Sequence, residues 1–311
     1  MSVFRKYFPV TLKGMAMGAA DVVPGVSGGT IAFISGIYAE LLNSLRSVNL
    51  KALRILFREG IPAFWKHING WFLLFLLTGI GISIVSLSRM ILYLLENYPP
   101  LIWSFFFGLV VASAIYVAGT IKERNWKVVL SGLAGIVIAG WITIASPAQG
   151  SDSLPFVFVT GAIAICAMIL PGISGSFILL LMGMYEFILG ALHDLKISVI
   201  ITFMAGAGIG LVSFSHLLSW LLKKYHDLTV ALLAGFMIGS LNKVWPWKEV
   251  LESRFIDGEE KVIQEANRLP ATYSEVTGEP NHLLFCILLF LTGFVLIYSL
   301  EKLAGKKHQL I

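Results

Sequence analysis

Two serines stand in the same short phrase. Ser27 lies in Pro24-Gly25-Val26-Ser27-Gly28-Gly29 and Ser174 in Pro171-Gly172-Ile173-Ser174-Gly175-Ser176, each set inside apolar sequence. The register extends outward, because Gly36 and Tyr38 match Gly183 and Tyr185 at the same offset of 147 residues. Pro-Gly ends one helix and Ser-Gly starts another, and the first turn of a helix presents unpaired N–H groups and positive dipole. Glycine lets backbone approach a ligand, and the hydroxyls of Ser27, Ser174 and Ser176 can add hydrogen bonds. A phosphate or carboxylate fits such a pair of tips, with Ser27, Gly28 and Gly29 on one and Ser174, Gly175 and Ser176 on the other. The plainer alternative is that the glycines permit a tight bend and the serines cap helices. Duplication favours the ligand.

Ionisable residues in apolar sequence are costly and therefore informative. Arg89 can grip a phosphate bidentately, and its counterpart 127 residues on, His216, can carry a proton near neutral pH. The alternatives are snorkelling for Arg89 and a satisfied core histidine for His216. Three carboxylates, Asp21, Glu40 and Glu186, are candidates for a coupling-ion or proton site. Asp21 has Met168 at its repeat position, and that asymmetry suits a relay in one half; pairing with Lys13 or capping an arm would explain it equally.

An enzyme reading rests on Gly25-Val26-Ser27-Gly28 and Gly172-Ile173-Ser174-Gly175, which fit the GxSG pattern of intramembrane serine proteases. A protease needs one serine with a histidine base, whereas here the serine is duplicated and preceded by Pro-Gly. The sequence has no HExxH, no Walker A phrase and no acidic pair at metal spacing. Neither a metal nor an organic cofactor is expected. Cys166 and Cys286 read as inert core thiols.

The elements that hold these residues are membrane helices. The chain is 57% hydrophobic and 13% charged, with a mean hydropathy of +0.83 over 311 residues, more apolar surface than a soluble core could bury. The net charge of +5 falls in short connections, as topology signals do, and no nucleic-acid partner is expected. Arg5 and Lys6 precede apolar sequence that Lys13, Asp21 and Pro24 interrupt, so no cleaved signal is expected.

Six runs are long enough to cross a bilayer: Trp71 to Leu95, Leu101 to Ile121, Val128 to Ala145, Ile197 to Leu222, Leu228 to Val244 and His282 to Leu300. The motif regions, 10–45 and 156–190, are cut by Pro-Gly into arms of roughly 15 residues, each about 22 Å long and too short to span alone. They read as re-entrant broken hairpins, although two full crossings per hairpin would give the same sidedness. An all-α protein of two repeats follows, 1–145 and 146–311, each a hairpin plus three crossings. Three is odd, so the second repeat is inverted. The basic connections around Arg46 to Lys66, Lys122 to Lys127 and Lys223-Lys224 then share the cytoplasmic side with both termini. The stretch 248–281 falls outside and reads as a short amphipathic surface segment.

The run Gly14-Met15-Ala16-Met17-Gly18-Ala19-Ala20-Asp21-Val22-Val23-Pro24-Gly25-Val26-Ser27-Gly28-Gly29-Thr30, with Pro171-Gly172-Ile173-Ser174-Gly175, resembles the PopT family of bacterial membrane proteins. The resemblance covers nearly the whole chain except 248–281. It implies a flippase that returns undecaprenyl phosphate, the lipid carrier of cell-wall glycan and peptidoglycan synthesis, from the outer to the inner leaflet of the bacterial cytoplasmic membrane.

Residues and resemblance agree on the chemistry, since only the phosphate needs a protein path while the prenyl tail stays in membrane lipid. Arg89 would collect the phosphate, the tips would replace its hydration, and rocking of inverted halves would release it inward with His216 as proton partner. No covalent step is required. Protons, sodium or consumption of the carrier inside would drive it. Two other readings stand: an ion-coupled transporter of a small soluble anion, with a hydrated cavity closed to lipid, and an intramembrane serine hydrolase, with Ser27 or Ser174 open to a serine-reactive probe.

Overall fold

A computed structural model of the chain describes residues 3–21, 27–145, 150–256 and 259–308. Pro24 and Gly25 of the first motif lie outside the described residues, as do the side chains of Arg89 and Glu186. The protein is predominantly helical and multi-pass in character. In chain order come α1 (Val3–Asp21), α2 (Gly28–Ile34), α3 (Tyr38–Ser47), α4 (Leu50–Glu59), α5 (Ile61–His67), α6 (Gly70–Asn97), α7 (Pro99–Gly119) and α8 (Trp126–Ile144). There follow α9 (Leu154–Ile169), α10 (Gly175–Leu181), α11 (Tyr185–His193), α12 (Ile197–Lys224), α13 (His226–Ser240), β1 (Lys248–Ile256), β2 (Glu259–Asn267), α14 (Pro270–Thr277) and α15 (Leu283–His308).

Among the described residues α7, α8 and α12 are long and apolar enough to cross a membrane, and α5 with α6, bent by 72°, makes a fourth candidate. Shorter apolar helices are α9, α13 and the segment Leu283–Ser299 of α15.

Local structure repeats at the offsets read from the sequence. Helices α6 and α12 both run 28 residues and end on Tyr98 and Tyr225, with φ,ψ of −138°,49° and −132°,52°. Helices α2 and α10 both run seven residues. Each stops just before a glycine in the left-handed region, Gly36 at φ 73° and Gly183 at φ 63°, and there the chain turns into α3 or α11. Only glycine takes that conformation freely, which is why this pair recurs.

The packing partners repeat as well. Helix α1 lies along α6 as α9 lies along α12; α7 lies along α15 as α13 lies along α8. The last two pairs each join one half of the chain to the other, so neither half has its core without its partner. Small residues bring the backbones together at every crossing. A methyl group on Gly79 would strike the Thr11 carbonyl, one on Gly206 the Phe158 carbonyl, one on Gly108 the Phe290 carbonyl and one on Gly235 the Gly132 carbonyl.

The all-α expectation omits one feature. Strands Lys248–Ile256 and Glu259–Asn267 pair antiparallel with Lys248 opposite Asn267 and Ile256 opposite Glu259, and the register slips between Val250 and Ser253. This is no loose amphipathic segment. Trp245 Nε1 donates to the Arg268 carbonyl at 2.8 Å, Trp247 Nε1 donates to the Asn281 carbonyl at 2.9 Å, and Arg268 pairs with Glu249 at 2.6 Å.

These crossings make a direct test. Gly108→Val or Gly235→Val should lower stability in detergent by about 1–3 kcal/mol, because the added groups meet backbone that cannot yield. Gly81 faces open space, and Gly81→Ala should gain about 0.5–1 kcal/mol from helix propensity. Thermal unfolding of the three variants reads both signs.

Candidate functional site

The two motif copies meet. Ser27, 1% exposed, caps α2 by accepting from Gly29 N at 3.0 Å and donates its hydroxyl proton to the Met168 carbonyl at 2.9 Å. From the other side, Gly172 N donates to Thr30 Oγ1 at 2.9 Å. Tyr38 Oη, fully within the core, donates to the Ile169 carbonyl at 3.1 Å. Met168 and Ile169 end α9, where a helix leaves its last carbonyls without intrahelical partners. The first motif therefore satisfies the broken end of the second. Gly29 has to be glycine here, since a Cβ would sit on the Ile169 carbonyl.

The tips differ in what fills them. At the first, Asp21 Oδ1 accepts from Gly28 N at 2.7 Å, so a carboxylate of the protein already occupies the start of α2. A Cβ on Gly28 would collide with that carboxylate. At the second, Met168 holds the repeat position of Asp21, and among the described residues no side chain caps α10. Ser174 Oγ lies 2.8 Å from Ser176 Oγ, and Gly172, at φ 88°, presses against the Phe236 carbonyl and Ser240 Oγ. Ser174 borders a narrow cleft of about 10 Å³ with Thr143, Gly172, Phe177 and Lys243.

The remaining candidates separate. Glu40 is exposed and accepts from Asn69 Nδ2 at 2.9 Å, tying α3 to the α5–α6 corner. His216 is exposed on α12 with Nδ1 2.8 Å from the Val212 carbonyl of its own helix; among the described residues no hydrogen bond joins it to either tip. Arg89 lies on α6 and Glu186 on α11. Among the described residues no three His, Cys, Asp or Glu side chains gather as a metal site.

Sequence reasoning missed Lys243. It ends an apolar run, where a lysine reads as an ordinary flank, and only the fold sets it beside Ser174. Lys243 Nζ lies 2.9 Å and Lys248 Nζ 3.1 Å from the same Glu265 Oε2. Burial pushes the Lys248 amine down to about 8; Glu265 opposes that shift and Lys243 adds to it. Burial alone would raise the Glu265 carboxyl, but the two ammonium groups outweigh it and hold it below its usual range.

The chain's similarities bear on this site. The family model described as "VCA0040-like: Undecaprenyl phosphate translocase-like" matches residues 17–261, which include both motifs. A protein of Vibrio cholerae serotype O1 named polyprenyl-phosphate transporter is 46% identical over 301 residues, 96% of this chain and 98% of that protein. A Staphylococcus aureus protein of the same name is 30% identical over 253 residues, 76% of this chain and 85% of that protein. No solved structure matches.

Ser27→Ala removes a cap and a tie between the tips, and should cost about 1–2 kcal/mol; Tyr38→Phe should cost about 1 kcal/mol. Both are read as lowered thermal midpoints. Lys248 links folding to pH. Between pH about 8 and the ordinary lysine value near 10 the unfolded chain binds more protons than the folded one, so stability should rise with pH across that window and be flat in this contribution below it. Lys248→Met should abolish the rise.

Proposed function

The chain belongs to the VCA0040-like family of undecaprenyl phosphate translocase-like proteins, and we propose that it is a polyprenyl-phosphate translocase. In this reading it returns undecaprenyl phosphate from the outer to the inner leaflet of the bacterial cytoplasmic membrane, for reuse in cell-envelope glycan synthesis. It acts as a transporter with no hydrolytic step. The observation that carries the reading is the meeting of the two motifs: the duplicated Ser-Gly phrases do not sit apart as unrelated caps but touch through Ser27, Thr30, Met168 and Gly172.

We read each half as a re-entrant hairpin followed by three crossings, with the second half inverted and both termini cytoplasmic. The matched elements and the reciprocal packing of α7 on α15 and α13 on α8 support two related halves. The basic connections support the sidedness. The phosphate then meets the second tip from the outer side and the first from the inner side, while its chain stays in lipid.

In the proposed mechanism Asp21 acts as the resident anion of the first tip. A phosphate arriving there competes for Gly28 N, and protonation of Asp21 lowers the cost of releasing it. Phosphate movement and proton movement are thereby linked at one carboxylate. Arg89, on α6, is the proposed outer guide, and His216 a later proton partner reached only after rearrangement. Ser174, Gly175 and Ser176 take the phosphate as Ser27, Gly28 and Gly29 do at the opposite tip.

Proteoliposomes holding fluorescently tagged undecaprenyl phosphate, with tagged undecaprenol as the neutral control, test this. The wild type should move the phosphate lipid and not the alcohol. Loss of a charge-assisted contact in Arg89→Ala should slow transfer about tenfold or more. Oriented, folded protein that moves no lipid under a proton or sodium gradient, yet takes up soluble phosphate, would replace this reading with a soluble-anion transporter.

A further inference from the structure

One cluster is not used by the mechanism above. Lys243 at the end of α13 and Lys248 at the start of β1 share one oxygen of Glu265 from β2. Lys248 is 7% exposed at its side chain, and Lys243 and Glu265 are each 22% exposed. Among the described residues two ammonium groups face one carboxylate, a net charge of +1. Aromatic faces make up part of the deficit: Lys248 Nζ stands 4.2 Å from the Trp103 ring centre and Lys243 Nζ 4.9 Å from that of Phe177. Neither ring brings a negative charge. Among the described residues Glu265 is the only carboxylate paired with either lysine.

One side of the cluster borders a narrow cleft with room for about one water. Lys243 lines this cleft, about 10 Å³ in volume, together with Thr143 and Ser174. Ser174 belongs to the second motif, and Gly172 lies beside it in the same wall. Thr143 Oγ1 already donates to the Gly140 carbonyl, and Ser174 Oγ lies against Ser176 Oγ, so a small oxyanion would meet Lys243, the serine pair and the glycine wall where Glu265 gives way. Swinging the Glu265 side chain away from Lys243 would cost one ion pair while Asn267 keeps the strand tied to Asn242. That exchange is nearly balanced if another anion takes its place.

Resting on the translocase reading, we propose that Lys243 and Lys248 form the outer collecting site for a phosphate monoester headgroup, and that Glu265 is a resident anion which the phosphate displaces from Lys243. The second tip then resembles the first in logic. Asp21 guards one and Glu265 the other, each a protein carboxylate held where the phosphate has to go. The hairpin gains a role as the carrier of that guard.

The test is equilibrium binding to the purified full-length protein in detergent, with farnesyl phosphate, farnesol and inorganic phosphate as probes. The wild type should bind farnesyl phosphate, more weakly inorganic phosphate, and farnesol without saturation. Lys243→Met should weaken farnesyl phosphate about tenfold or more, the loss of one charge-assisted contact. Glu265→Gln should tighten it severalfold, because the competitor is gone. Unchanged affinity in Lys243→Met, or weakened affinity in Glu265→Gln, would overturn the site. Inorganic phosphate bound more tightly than farnesyl phosphate would overturn the lipid headgroup as its occupant. Should Lys243→Met not fold, the direction of change in Glu265→Gln decides alone. Transport separates this inference from the reading beneath it: wild type and Lys243→Met that flip lipid equally sink the site only, whereas Lys243-dependent binding without flipping sinks translocation only.

Discussion

A helix that breaks inside apolar protein leaves carbonyl and N–H groups that neither lipid nor side-chain hydrocarbon can satisfy. The rest of this structure depends on how those groups are paired. The end of α9 exposes the Met168 and Ile169 carbonyls, and the first motif answers with the hydroxyls of Ser27 and Tyr38. Thr30 accepts from Gly172 in return. The duplicated phrase is thus two halves of one contact, each half completing the other's broken backbone.

That dependence reaches outward through packing. A contact between tips holds only if the helices bearing them are fixed, and glycine crossings fix α1 on α6 and α9 on α12. Reciprocal pairing of α7 with α15 and of α8 with α13 stitches one half of the chain to the other. Close backbone approach of this kind gives van der Waals contact where there is no hydrophobic gain between lipid-facing helices.

Much of this was legible in the sequence, and for physical reasons. Apolar runs longer than a bilayer needs mark α6, α7 and α12, and Gly36 with Gly183 marks the same left-handed corner twice. The 127-residue offset that pairs Arg89 with His216 also pairs Gly79 with Gly206 and Gly108 with Gly235, although nothing in a linear pattern says which helix each glycine meets. The hairpin of β1 and β2 was hidden because its alternation is diluted by acidic residues and broken by the slip near Val250. Asp21 was legible as an asymmetry but not as the group lying on Gly28 N, since that contact depends on where α2 begins. Lys243 was invisible as a site: its chemistry comes from Glu265 and Ser174, which lie 22 and 69 residues away.

In the proposed mechanism the phosphate passes between the tips, so the contact of Ser27 with Met168 has to open in every cycle. The most direct measurement is transport of undecaprenyl phosphate by a Ser27→Cys, Met168→Cys protein lacking Cys166 and Cys286, before and after the two thiols are joined by a short, reducible cross-linker. The account expects transfer to stop on cross-linking and to return on reduction. Transfer that continues unchanged through the closed cross-link would contradict it, and would place the path of the phosphate somewhere other than between the two motifs.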